Sequence, residues 1–436
     1  MNMDRGLISV DRWADGSQAY FLTHLHADHT NGLSSSWKKG PLFCSHITAT
    51  IFPIKFPNFN LSLLRVLEIG RWHSISLVSP LTRSETIVNV MAIDAHHCPG
   101  AVMFLFRGDF GNMLYTGDFR WESNSERAVI GRSMLLGALK NDKLDIIYMD
   151  NTYCHPSYTF PSREVAAKEV VDIIAAHPEH DVVIAIDTLG KEELLLHIAK
   201  TLDIKIWVWP ERLQIMHLLG LNDIFTTRTS LTRVRAVPRY SLSSSTLEEL
   251  NILRPTIGIM PSGLPWMMEA YKGKKATWLP QPSQYSGSKL STKDGIETNH
   301  SELNGISSGP KRYHQYIYSV PYSDHSCFSE IKEFVSLLQP VNLKGIVLKS
   351  PLYIDPLYHF GCLLEAVQPS ERRQKFRRID SESGDSVQTS TVAGKGNSTK
   401  NRIRRRAHPG CLGIRIRRVS LLRRSQSGAK IVETDV

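Results

Sequence analysis

At 436 residues with 42% hydrophobic content, the chain has room for two globular domains plus a tail, and enough apolar mass to bury a sizeable core. No uninterrupted apolar run approaches the roughly 18 residues of a membrane helix. The polar-interrupted N-terminus lacks the basic-then-apolar pattern of an export signal, so the sequence points away from membranes and secretion. The net charge of +10 is localised: residues 370–436 carry 17 Lys and Arg against 6 Asp and Glu, leaving the remainder near neutral, so overall basicity is no argument that the body binds nucleic acid.

In chain order, residues 7–10 and 19–22 read as short strands, the first ending at Asp11. The second runs into His24-Leu25-His26-Ala27-Asp28-His29, three imidazoles and a carboxylate within six residues. On extended backbone His24 and His26 share a side, and Asp28 and His29 fall on the next turn, within reach of a second ion. Neutral imidazole and carboxylate are the ligands that zinc and similar divalent ions prefer. Four such residues in this pattern favour a metal site over an exposed polar loop. Ser45 opens a short helix over 46–52, and residues 63–69, 75–78 and 86–93 have the β-branched content of strands. Residues 101–106 and 112–115 flank the turn at 107–111 as a hairpin, and 144–149 form another apolar strand ending at Asp150.

The character changes near Pro156. Ser162 caps a helix through about Ala176, followed by strand 182–186, helix 191–202, strand 204–208, helix 212–218 and strand 256–260 with the loop Pro261-Ser262-Gly263. Such alternation reads as an inserted α/β module. Within it, Gly190-Lys191 opens a helix directly after a strand. Backbone N–H groups and an ammonium there form a natural phosphate site, with simple surface capping as the alternative. Residues 272–312, rich in Ser, Gly, Lys and Asn without sustained periodicity, are expected to be a mobile surface insertion. A strand over 313–322 and a helix over 327–338 return the chain to the first domain. The Arg-rich tail is expected to be disordered, serving either as a nuclear localisation signal, as a phosphate-binding arm, or as a plain solvated segment. The six cysteines are scattered without a C-x-x-C pair, so neither a zinc knuckle nor a disulfide framework is indicated.

The His-x-His-x-Asp-His spacing resembles the signature of the metallo-β-lactamase superfamily. That resemblance implies three later ligands, each ending a strand: His97 in Asp94-Ala95-His96-His97-Cys98-Pro99-Gly100, Asp118 in Tyr115-Thr116-Gly117-Asp118-Phe119-Arg120, and His325 in Pro321-Tyr322-Ser323-Asp324-His325-Ser326. A core interrupted by an α/β insert and resumed at a late histidine resembles the β-CASP nucleases. The strings Thr23–Gly32, Asp94–Phe106, Leu114–Arg120, Met149–Thr152, Leu189–Glu192, Leu218–Leu221 and Pro321–Glu330 resemble the Apollo/Artemis group of DNA cross-link-repair nucleases. The likeness spans residues 5–265 and 313–365.

The implied fold is α/β, a metallo-β-lactamase αββα sandwich with an inserted α/β β-CASP domain. Its expected parts are core residues 1–155, insert 156–312, return to the core 313–368, and tail 369–436. By the same resemblance, His24, His26, His97 and Asp118 hold one ion, and Asp28, His29, Asp118 and His325 a second. Zinc is the implied metal, with manganese or magnesium able to support turnover. Two ions about 3.5–4 Å apart suit phosphodiester hydrolysis, because the pair activates water and steadies charge on the attacked phosphate. Asp28, His29, Asp118 and Asp150 form the implied catalytic set, Asp150 leaning towards an orienting role. Asp11 is expected to accept a ligand imidazole's free N–H. Lys191, Gly190, Thr188 and Ser262 would hold a 5′-terminal phosphate.

Two departures stand out. His96 occupies a position where the family has Asn, and Arg235 aligns with a β-CASP histidine of supporting acid–base role. Arginine cannot transfer protons near neutrality, which puts that role in doubt here and leaves a phosphate contact open to Arg235. The expected activity is a nuclear, monomeric 5′-to-3′ DNA exonuclease preferring a 5′-phosphate, in cross-link repair or DNA-end and telomere processing, with repair-complex proteins as possible partners. The alternatives are an endonuclease on DNA hairpins or RNA, and a non-catalytic DNA-binding scaffold.

Overall fold

The computed structural model describes residues 7–79, 82–140, 142–263, 311–347, 354–364, 419–421 and 429–433. The expected mobile insertion therefore lies outside the described residues, apart from Lys311 and Arg312. No helix among the described residues is long and apolar enough to cross a membrane.

Two six-stranded sheets form the first domain. In spatial order the first is Val419–Leu421, Ala429–Glu433, Ile8–Val10, Ala19–Phe21, Leu42–Ser45 and Leu64–Leu67. The second is Asn342–Gly345, Ile146–Met149, Gly111–Tyr115, Val102–Gly108, Glu85–Asp94 and Trp72–Val78. Their inner faces meet in one core, where the Phe21 ring lies 5.3 Å from Phe104 and 4.9 Å from Phe106. Burying such a side chain contributes on the order of 1.5–3 kcal/mol. The strand Val102–Gly108 reads as an unbroken apolar run because its first five residues are buried on both faces. One face meets the opposing sheet. The other packs under the helices Glu126–Leu139 and Phe328–Leu338, with Phe334 4.7 Å from Trp121. The helix His46–Lys55 covers the outer face of the first sheet, its start capped by Ser45 Oγ accepting from Thr48 N.

The insert is a separate seven-stranded sheet: Phe225–Thr226, Ile206–Trp207, Val234–Pro238, Asp181–Ile186, Thr256–Pro261, Ile317–Val320 and Lys311–His314. Its central strand Asp181–Ile186 is buried at all six positions and pairs in parallel on both sides. The helix Arg163–Ala175 is capped by Ser162, as its sequence foretells.

Two expectations change here. The strand Ile317–Val320 pairs with Thr256–Pro261, so the insert continues to Val320 and the return to the sandwich starts at Pro321 rather than at residue 313. The tail is not disordered throughout: Ala429–Glu433 adds antiparallel to Ile8–Val10 and Val419–Leu421 adds to it, extending the first sheet by edge pairing that composition does not reveal.

Candidate metal centre and adjoining cavity

The first sheet delivers the histidine loop. Asp11 leaves the strand Ile8–Val10 in a left-handed conformation (φ 49°) that an aspartate tolerates, and its carboxylate turns back on the next strand. Oδ1 accepts from Thr23 N at 2.9 Å, and Oδ2 accepts from Thr23 Oγ1 at 2.6 Å and from His29 Nδ1 at 2.8 Å. Because the Thr23 hydroxyl donates to Asp11, its oxygen accepts from His24 Nδ1 (3.0 Å), which leaves His24 Nε2 as a lone pair facing inward. His26 is turned the other way: Nε2 donates to the Leu189 carbonyl at 2.8 Å, and Nδ1 faces His24 Nε2 and His97 Nε2, each at 3.0 Å. His97 in turn donates from Nδ1 to the Asp324 carbonyl at 2.9 Å.

Asp118 stands at the centre. Its Oδ2 is 3.6 Å from His24 Nε2 and 3.7 Å from His97 Nε2, while Oδ1 is 3.2 Å from His29 Nε2. Gly117 makes that placement possible: at φ +54° it is left-handed, and a Cβ would meet the Thr23 side chain at 2.8 Å. His325 Nδ1 donates to Asp150 Oδ2 at 2.8 Å, and His325 groups with His97 and Asp118 within 4.8 Å. Asp28 lies at the mouth, with Oδ2 3.5 Å from His29 Nε2 and a side chain 65% exposed. The thiol of Cys98 joins the His24, His26 and His97 group, a contact for which its sequence neighbourhood offers no signal.

This donor set fits divalent cations. Burial first, then neighbouring imidazoles, hold His24 well below the usual histidine range and His97 down to about 3, and burial likewise lowers His26. Neutral imidazoles are the form that ligates. Against the effect of burial, Asp118 and Asp11 hold His29 well above its usual value, and Asp150 and Asp118 hold His325 up to about 9. Three inward lone pairs at hydrogen-bond distance, beside a carboxylate held well below its usual range by His29 and His325 despite burial, are satisfied by cations and by little else.

Buried arginines fasten the pieces. Arg120 donates to the Ser323 and Pro161 carbonyls and to Glu330, which sets the segment carrying His325 against the loop carrying Asp118. Arg212, fully buried on the helix Pro210–Leu218, donates to the carbonyls of Asp187, Thr188 and Gly190 and to Glu192 Oε1. It thereby shapes the loop whose Leu189 carbonyl holds His26. Arg212 carries no motif that marks it in the sequence, and the string that holds Arg120 beside Asp118 gives no sign of its partners.

A cavity of about 1260 Å³ opens on the metal cluster and runs between sandwich and insert. Asp28, His97, Asp118 and His325 lie at one part of its lining, and Thr188, Lys191 and Ser262 at another. Lys191 Nζ pairs with Asp324 Oδ2 at 3.0 Å and lies 3.6 Å from Asp187, and against burial these carboxylates raise its pKa.

Two expected phosphate contacts, Gly190 and Arg235, fall elsewhere, and Asp150 takes the orienting place towards which its reading leaned. The Gly190 N–H is committed to Glu192 Oε1 at 2.9 Å and is not free for a phosphate; this glycine (φ +105°) instead lets the loop approach Asp324 and His26 closely. Asp150 lies behind His325, its other oxygen taken by Thr152 N and Oγ1, so it orients an imidazole and does not reach the cavity. Arg235 pairs with Asp181 Oδ2 at 3.2 Å, near the strand starts and about four residues, roughly 13 Å, from the cavity end. It does not line the cavity. His96 points away from the cluster and stacks on Trp121, with burial lowering it to about 4.

Residues 220–349 match the family model described as DNA repair metallo-beta-lactamase. The chain is 37% identical over 346 residues to the 5′ exonuclease Apollo of Gallus gallus, covering 78% of this chain and 62% of that one. It is 36% identical over 347 residues to the 5′ exonuclease Apollo of Danio rerio, covering 78% and 51%. To the DNA cross-link repair protein SNM1 of Arabidopsis thaliana it is 33% identical over 338 residues, covering 74% and 60%. The chain thus spans between half and two-thirds of the length of these relatives. With its sandwich, its α/β insert and its histidine–aspartate centre, the chain is similar to the Apollo group of metallo-β-lactamase/β-CASP DNA repair proteins, and residues 220–349 match their DNA repair metallo-beta-lactamase model.

Proposed function

We propose that the protein is a metal-dependent 5′-to-3′ DNA exonuclease that prefers a 5′-phosphate and works in the nucleus in cross-link repair or DNA-end processing. The observation that carries this reading is a single cavity lined both by the cation-binding cluster and by the Thr188, Lys191 and Ser262 side chains. His24, His26, His97 and Asp118 would hold one ion, and Asp28, His29, Asp118 and His325 the other, zinc being favoured by the imidazole-rich set. When bound, the ions supply water activation near neutral pH and draw charge off the attacked phosphate.

The chain's own residues do the rest. Asp11 and Asp150 hold the Nδ1 protons of His29 and His325, which leaves each Nε2 for ligation. Thr188, Lys191 and Ser262 seat the terminal phosphate, and the strand runs from there along the same cavity to Asp118. Leu25, Ile51, Ile54 and Ile215 give the cavity an apolar wall that suits a base of any sequence.

The reading is tested by digesting a 3′-labelled single strand bearing either a 5′-phosphate or a 5′-hydroxyl, with Asp118→Ala as control. A ladder shortening from the 5′ end, faster with phosphate and absent in the variant, supports it. Internal cuts indifferent to the end group would replace it with an endonuclease, and binding without cutting with a scaffold.

A further inference from the structure

The C-terminal strand ends of the insert's sheet place one more cation at the cavity. The strands Val234–Pro238, Asp181–Ile186 and Thr256–Pro261 run parallel, with Ile186 abreast of Pro238 and Ile184 abreast of Ile259. Residues leaving these strands therefore form a row: Arg239, then Asp187 and Thr188, then Ser262. Ligands of open parallel α/β sheets bind beyond this end. Arg239 lines the cavity with Thr188, Lys191 and Ser262, and its Nη2 donates to Ser262 Oγ at 3.4 Å.

Its electrostatic setting differs from that of Lys191. Two carboxylates already face the Lys191 ammonium, Asp324 at 3.0 Å and Asp187 at 3.6 Å. Among the described residues no carboxylate forms an ion pair with Arg239, whose one side-chain partner is the Ser262 hydroxyl. A terminal phosphate monoester carries nearly two charges near neutral pH and offers three acceptor oxygens, whereas an internal phosphodiester carries one charge. An ammonium shared between two carboxylates has little charge left for that difference. A planar guanidinium matches the monoester bidentately.

We infer that Arg239 reads the 5′-terminal phosphate, gripping it from the strand-end row across from Lys191 and setting the preference for phosphate over hydroxyl ends. This assignment rests on the exonuclease reading above, with the 5′ end seated in this cavity.

The test compares full-length wild type, Arg239→Ala and Arg239→Lys on the same strand with a 5′-phosphate or a 5′-hydroxyl, scoring the ratio of the two initial rates. Arg239→Ala should lower that ratio by about tenfold or more, the scale of one charge-assisted hydrogen-bonded contact, with Arg239→Lys intermediate. A ratio in Arg239→Ala equal to the wild type's, with the wild type clearly preferring phosphate, overturns the role of Arg239 and leaves the exonuclease reading standing. A wild type that ignores the end group overturns both.

Discussion

His26, a ligand-type residue of the sandwich, donates from Nε2 to the carbonyl of Leu189 in the insert, 2.8 Å away and 163 residues later in the chain. A carbonyl can only accept, so this bond fixes the tautomer and leaves Nδ1 as the lone pair facing His24 and His97. The insert therefore helps to set the histidine–aspartate cluster as well as walling the cavity.

Arg212 is what holds that loop in shape, so its loss should reach the metal without touching it. Arg212→Met leaves Glu192 buried without its partner, costing about 3–5 kcal/mol, and metal affinity should fall on the order of 10–100-fold. Adding Glu192→Leu should restore most of the melting temperature but not the affinity. Chelator competition run beside thermal melts separates the two effects, and a double variant with wild-type affinity would refute the coupling.

Asp150 and Asp11 each hold one imidazole of the cluster, yet removing them should not be equivalent. Asp150→Ala frees the His325 ring and should lower kcat by roughly 10–100-fold with little change in KM. Each substitution also strips a backbone acceptor, but Thr152 N–H beside Asp150 is only part-buried, whereas Thr23 N–H beside Asp11 is buried, so Asp11→Ala adds about 1–3 kcal/mol of instability. Steady-state kinetics and denaturant melts of the two variants check the contrast.

Gly117→Ala puts a Cβ against Thr23 on left-handed backbone and moves Asp118 from its place among His24, His29 and His97. It should cost more than about 1 kcal/mol of stability and reduce bound metal per chain, measured by elemental analysis of the purified protein.

Arg235→Ala should lower stability by about 1 kcal/mol or less, as loss of a partly exposed ion pair does, and leave turnover and end preference unchanged. A changed end preference would contradict the strand-end geometry.

What was legible in the sequence follows from how local each feature is. His24 and His26 share a side because two residues on extended backbone must, and Ser45 and Ser162 announce the helices that they cap. The residues that align the ligands were hidden because their partners lie far along the chain: Arg120 reaches Ser323 and Glu330, and Arg212 caps carbonyls on a loop more than twenty residues earlier. Arg235 was misread for a related reason. Alignment gives a position along a strand, but only the parallel register with Asp181–Ile186 tells which end of the sheet that position occupies. The helices Glu126–Leu139 and Ser244–Leu253 passed unnoticed because few of their residues are buried, which leaves only a faint apolar stripe.

The most direct measurement is zinc-edge anomalous diffraction from crystals of the Asp118-intact protein holding a nuclease-resistant 5′-phosphorylated strand. Two peaks about 3.5–4 Å apart flanking Asp118, with the terminal phosphate against Lys191 and Arg239, are the expected result. No peak at Asp118, or a 5′ end seated outside the cavity, would contradict the account.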